Sequence, residues 1–229
     1  MSADDDRKAT ETILRVLNDL SVCKIKFMMG PAKTKPRETR PRTIHPLMYD
    51  LVRQAIVDGK ITVIVSPEIL ERGAGGMYCP VITVDENTEL YDVIVLAKPD
   101  LGSTIDQQLT TAQAIIHECT HAGFDLLNLP KMTHMENELG AYIAGAIFVA
   151  EAILARKGDL KNVGAITEPI RKAAWEIALL EVEDKDPPRR LYEALELAIR
   201  THPLYKDKAN KVSTHDGVGR EWKLKGVKK

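Results

Sequence analysis

Aromatic residues are scarce in this sequence: tryptophan, tyrosine and phenylalanine together make up 5% of its 229 residues. That argues against a stacking platform for single-stranded nucleic acid, which needs a row of exposed rings. Net charge is nearly absent, with 32 basic against 33 acidic residues. No field of one sign therefore draws the chain to nucleic acid or to an acidic membrane surface. Cysteine is rare as well. Cys23, Cys79 and Cys119 are odd in number and fit no CxxC or zinc-ribbon spacing. A disulfide framework is not expected, and a reducing, cytoplasmic compartment is. The stretch "MSADDDRKATE" lacks the apolar segment of a Sec-type signal. The longest apolar run, "LGAYIAGAIFVA", falls short of the roughly 18–20 residues a membrane helix needs. The expectation is a soluble chain with neither a membrane nor a nucleic-acid partner.

What the sequence does contain is enough hydrophobic material, 44%, for one substantial core. Residues 7–20 read as an amphipathic helix with Ile13, Leu14, Leu17 and Leu20 on one side. Residues 30–46 hold four prolines and five Lys or Arg and read as a loop. "LMYDLVRQAIVDGK" reads as a helix ending at Gly59. "ITVIV" is a β-branched strand, and "MYCPVITVDENTELYDVIVLAKP" reads as two strands with a turn near "DENT". A helix capped by Ser103 or Thr104 then runs to about Leu127. A second long helix, "HMENELGAYIAGAIFVAEAILAR", is apolar on nearly every side from Leu139 to Ala150 and should be buried. Two amphipathic helices follow, separated by Pro187 and Pro188. From Asp207 the chain carries seven Lys or Arg and little apolar content, which reads as a mobile basic tail. One domain over residues 1–206 is expected, with its core at about 45–155, a helical extension over 160–206 and the tail over 207–229.

Chemistry concentrates in "AIIHECTHAGFDLL". On a helix, His117 and His121 lie about 40° apart and one turn apart, so two imidazoles can share one metal ion. Glu118 sits about 100° round from His117. It is badly placed to be a third ligand and well placed to reach a water beside the metal. Zinc lowers the pKa of such a water to near 7, and a carboxylate within hydrogen-bond reach can take its proton. The neighbours Ala114, Ile115, Ile116 and Phe124 are apolar, so burying these polar groups without a metal would be costly. Cys119 lies on the opposite side of the helix and reads as packing.

A catalytic zinc needs a third protein ligand and an open position. The candidates are Glu138, Glu136 and His134. Glu138 is nearest the apolar body of its helix and is the preferred one. Gly140, Ala141, Ala144, Gly145 and Ala146 follow it, small residues that let two helices approach closely. Tyr142, one turn after Glu138, either orients that carboxylate or stabilises an oxyanion, or it packs in the core with a polar tip. Tyr78 reads as a plain strand residue, with a place at the edge of the cleft as the alternative. Asp125 reads as a solvated helix residue rather than a partner of a ligand imidazole. His45, His202 and His215 receive no role.

The segments "HECTHAGFDLL" and "ENELGAYIAGAIF" together resemble the gluzincin type of zinc metallopeptidase in a minimal form. In that type a second helix carries the third ligand in a Glu-x-x-Ala-Tyr context, which "ELGAY" matches at Glu138. The spacing from His121 to Glu138 is shorter than in the larger enzymes of the type. The resemblance implies an α+β, zincin-like fold: a small mixed sheet on an active-site helix and a buried Glu-bearing helix, with a helical C-terminal part. It also implies a strand before the active-site helix that pairs with an extended peptide substrate. The expected function is a zinc-dependent metallopeptidase with Zn2+ on His117, His121 and Glu138, Glu118 as base and Tyr142 assisting. Two other readings share the motif: a silent zincin scaffold that binds a protein, and a peptidase effector or toxin.

Overall fold

The computed structural model describes residues 2–29, 42–70, 74–85, 88–129, 132–160, 166–211 and 213. Its organisation is α+β, with six helices and two small sheets among the described residues. Helix α1 (Ala3–Leu17) starts earlier than periodicity alone suggests. The Ser2 hydroxyl accepts the Asp4 N–H at 3.3 Å, and Asp4, Asp5 and Asp6 fill the first turn, where the helix dipole favours carboxylates. Its buried stripe is Ile13, Val16 and Leu17. Leu20 does not join that stripe; it is 81% exposed because the helix ends at Leu17 and the chain turns away.

Strand β1 (Phe27–Met29) pairs antiparallel with β2 (Arg42–Ile44). The expected loop over 30–46 is therefore corrected at Arg42–Ile44, which is a strand. Three residues are enough because Ile44 is buried opposite Phe27. Residues 30–41 lie outside the described residues. Helix α2 (Leu47–Val57) ends as expected, with Gly59 at φ +69° allowing the Lys60 N–H to reach the Ala55 carbonyl.

A three-stranded mixed sheet follows, in the order β3 (Thr62–Val65), β5 (Thr88–Leu96), β4 (Gly76–Asp85). β3 runs parallel to β5 and β4 antiparallel to it. Alternation decides the two faces. Val63, Ile94 and Leu96 join the main core, while Ile64, Val93 and Val95 pack with Leu70 and Met77 on the other side. β4 is the edge strand, and its register assigns its backbone groups. The Gly75 carbonyl accepts the Ala97 N–H, and Cys79 and Val81 oppose Val93 and Tyr91. Odd-numbered residues of β4 thus bond to β5, and the even-numbered Tyr78 and Pro80 turn their backbone outward. A proline without an N–H is tolerated there and not on the inner side. Opposite Pro80, Asp92 takes the left-handed φ of +51°.

Helices α3 (Ile105–Leu126) and α4 (His134–Ala155) form the centre. Both begin with a capping box, Thr104 with Gln107 and Thr133 with Glu136. Their approach is as close as the small residues suggest. A Cβ on Gly145 would lie 3.0 Å from Gln113 Cγ and 3.1 Å from the Gln113 carbonyl oxygen. By length and composition α4 would qualify to cross a membrane, contrary to the sequence expectation, but 67% of its most apolar window is buried inside this fold. Its hydrophobicity is that of a core helix covered by α3, α5 (Pro169–Val182) and α6 (Arg189–Thr201). Beyond α6, the start of the basic segment lies against α4. The Lys211 and Ala209 carbonyls accept the His134 and Met135 N–H groups, and the Ser213 N–H donates to the Met132 carbonyl. Residues 214–229 of the expected mobile tail, His215 among them, lie outside the described residues.

Candidate metal centre

Helical spacing brings His117 and His121 to one face of α3, with their Nε2 atoms 3.0 Å apart. α4 delivers Glu138 to the same point. Its Oε2 is 3.3 Å from His117 Nε2, and its Oε1 is 3.6 Å from His121 Nε2. Glu118 lies beside them: ligand atoms of His117, Glu118 and His121 all fall within 4.8 Å of one another. Among the alternatives for third ligand, Glu136 is engaged elsewhere. Its Oε2 accepts the Thr133 N–H at 2.7 Å and the Thr133 hydroxyl at 2.9 Å, closing the capping box. His134 stands behind Glu138, with Nε2 3.7 Å from Oε1.

Asn137 fixes the chemistry of His121. Its Oδ1 is 2.8 Å from His121 Nδ1, and its amide nitrogen donates to the Ser213 hydroxyl. An amide oxygen only accepts, so His121 carries a proton on Nδ1 and turns the Nε2 lone pair toward His117 and Glu138. Sequence reasoning missed Asn137. No pattern marks it, because its partner lies on another helix, 16 residues away.

Glu118 is 7% exposed, and its Oε2 accepts the backbone N–H of Tyr78 at 2.7 Å. The outward-facing amide of the edge strand thus holds one oxygen of the carboxylate and leaves the other to the cleft. The Tyr78 hydroxyl donates to Asp125 Oδ2 at 2.7 Å and lies 3.2 Å from Asp92 Oδ1. Burial and these two carboxylates push the Tyr78 hydroxyl far above its ordinary pKa. The expectation of a solvated Asp125 is therefore corrected: it is fully buried, tying α3 to β4. Tyr142 packs edge-on against His117, with ring centroids 4.5 Å apart. Its hydroxyl lies 3.0 Å from that of Tyr205. Tyr205 comes from the turns after α6, a contribution the sequence concealed. Burial raises the Tyr142 hydroxyl to about 12, so it remains a donor. Cys119 is fully buried in the core, as expected.

The electrostatics of the cluster suit a cation. Burial opposes charge on His117, yet the neighbouring carboxylates of Glu138 and Glu118 outweigh that, and its pKa is raised. Burial likewise works against charge on Glu138, but His121, His117 and His134 bring it down to about 2. Burial holds the His134 imidazole below its usual value. Glu138 Oε2 is a buried acceptor with no hydrogen-bond partner, a costly condition for a carboxylate oxygen. Two imidazole nitrogens and an orphaned carboxylate oxygen fit a three-ligand zinc set with a fourth position open.

Comparisons with protein-family models, with curated proteins and with solved structures found no match. The functional reading therefore rests on the geometry of the side chains.

Proposed function

We propose that this protein is a zinc-dependent hydrolase of zincin-like architecture, with peptide bonds as the bonds it cleaves. The observation that carries the reading is the convergence of His117, His121 and Glu138 on one point, with Glu118 beside them and held by the edge strand. His117, His121 and Glu138 are the zinc ligands. Zinc held there supplies Lewis acidity, polarising the substrate carbonyl and easing ionisation of water.

The chain's own groups do the rest. Glu118 accepts the proton of the attacking water and passes it to the leaving amine. Its contact with the Tyr78 N–H keeps it from swinging away. The hydroxyl pair of Tyr142 and Tyr205 lines the cleft beside His117 and Glu118, where it donates to the carbonyl oxygen as that atom gains charge. The outward backbone of β4 offers carbonyl groups to an extended peptide by strand addition.

The test is a pair of variants. E118Q should bind one equivalent of zinc and lose turnover by at least about 100-fold, the scale of a general base. H117A with H121A should abolish zinc binding. Retention of one equivalent in that double variant would overturn the ligand assignment.

A further inference from the structure

The cleft beside the cluster continues in two directions. One wing reaches Leu70, Met77 and Lys208. The other, a cavity of about 310 Å³, runs from Gly76, His117 and Glu118 to Gln113 and Arg171. Arg171 is on the first turn of α5, and the carboxylate expected to pair with it is Glu168, three residues earlier. Glu168 is already committed: Oε1 accepts the Ile170 N–H at 3.0 Å and Oε2 the Arg171 N–H at 2.7 Å. The Arg171 side chain is exposed and has no ion pair among the described residues.

His202 lines the same wall. Its Nδ1 accepts the Leu204 N–H, so in the neutral ring Nε2 is a donor. The other carboxylate lining this wing, Glu118, is held by Tyr78. Glu168 and Glu118 keep their negative charge on this wall, each with oxygens engaged by backbone N–H groups, while the Arg171 guanidinium, without an ion pair among the described residues, offers a fork suited to a planar carboxylate, and His202 adds a second donor.

We infer that Arg171 is a specificity-determining residue that takes a carboxylate of the peptide lying across the His117–His121–Glu138 cluster. The inference rests on the peptidase reading for the identity of the ligand and on the unpaired Arg171 guanidinium for its charge. A C-terminal carboxylate and an Asp or Glu side chain offer the same chemistry, and the experiment separates them.

Zinc-loaded E118Q protein is immobilised and exposed to four pools of random decapeptides. The pools have free-acid or amidated C-termini, and either contain or lack Asp and Glu; retained peptides are identified by mass spectrometry. Pools bearing a carboxylate should be retained about 10-fold more than the amidated pool without acidic residues, the scale of one charge-assisted contact. Selection by C-terminus identifies the first source, and selection by acidic side chain the second. Adding R171Q should erase the preference, and R171K should restore part of it. Equal retention of all pools, retention of none, or a preference that survives R171Q overturns the inference. Wild-type protein incubated with the same pools separates the two ideas. Carboxylate-selective retention without any cleavage refutes the hydrolase while supporting the Arg171 site. Cleavage without carboxylate preference does the reverse.

Discussion

Asn137 offers the sharpest test of how the centre is assembled. It is 8% exposed, and its Oδ1 sits 2.8 Å from His121 Nδ1. Replacing it with alanine leaves a buried Nδ1–H without an acceptor, in a place water enters poorly. Two costs follow. The orphaned donor costs about 1–3 kcal/mol in a buried setting. The ring is also released to the other tautomer, in which Nε2 carries the proton and has no lone pair for a metal. Partners of this kind are worth about 10- to 100-fold in metal affinity, or roughly 1.4–2.7 kcal/mol. A competition titration of zinc against a chromophoric chelator at pH 7 should show that loss in N137A. N137D retains an acceptor at the same position and should recover most of the affinity. Thermal unfolding of the metal-free proteins serves as control, since a fold defect would lower both variants in the same way. Affinity in N137A within twofold of wild type would mean that packing alone orients His121, and the tautomer argument would fall.

Two other outcomes test the frame and the electrostatics. Valine at position 145 would drive a side chain against the Gln113 carbonyl oxygen, already 3.1 Å from where a Cβ would stand. Backbone cannot give way cheaply, so G145V should lose about 1–3 kcal/mol in denaturant unfolding; a neutral result would show that α3 and α4 can separate. Glu181 is raised to about 7 by burial, with Asp186 and Asp184 adding to the effect against a hydrogen bond from Tyr192. An acid raised on folding favours the fold while protonated, so its contribution is complete below about pH 4.5 and is lost as pH rises through about 7. E181Q should flatten the fall in stability between pH 5 and 8 measured by denaturant unfolding, and an unchanged pH profile would refute the assignment.

The central helices were legible because their signals are local. The motifs Thr104-x-x-Gln107 and Thr133-x-x-Glu136 mark two helix starts, and the approach of α3 to α4 follows from the small residues after Glu138. His117, His121 and Glu138 could be nominated because ligand chemistry restricts the choice to a few residue types. Other features were set by partners distant in sequence. The β1–β2 ribbon joins Phe27 to Ile44 across a stretch with no strand pattern. The burial of Asp125 depends on Tyr78, 47 residues earlier, and the place of Tyr205 depends on Tyr142, 63 residues earlier. Periodicity carries no information about such pairs. The apolar character of α4 was visible and pointed to burial, but the identity of the helices that cover it, α3, α5 and α6, was not.

Pro80 and Tyr78 together give the edge of the sheet a polarity. At two successive outward positions the strand has no amide to give, one being consumed by Glu118 and the other missing from the proline ring. Their carbonyls still point outward. Two such edges meeting antiparallel with Tyr78 opposite Pro80 would find acceptors facing acceptors, which disfavours pairing of two copies in that register. A peptide that brings its own N–H groups meets no such bar. The same two residues thus leave this part of the edge with outward acceptors and no outward donors, while the inner ladder to β5 runs on past them to Asp85.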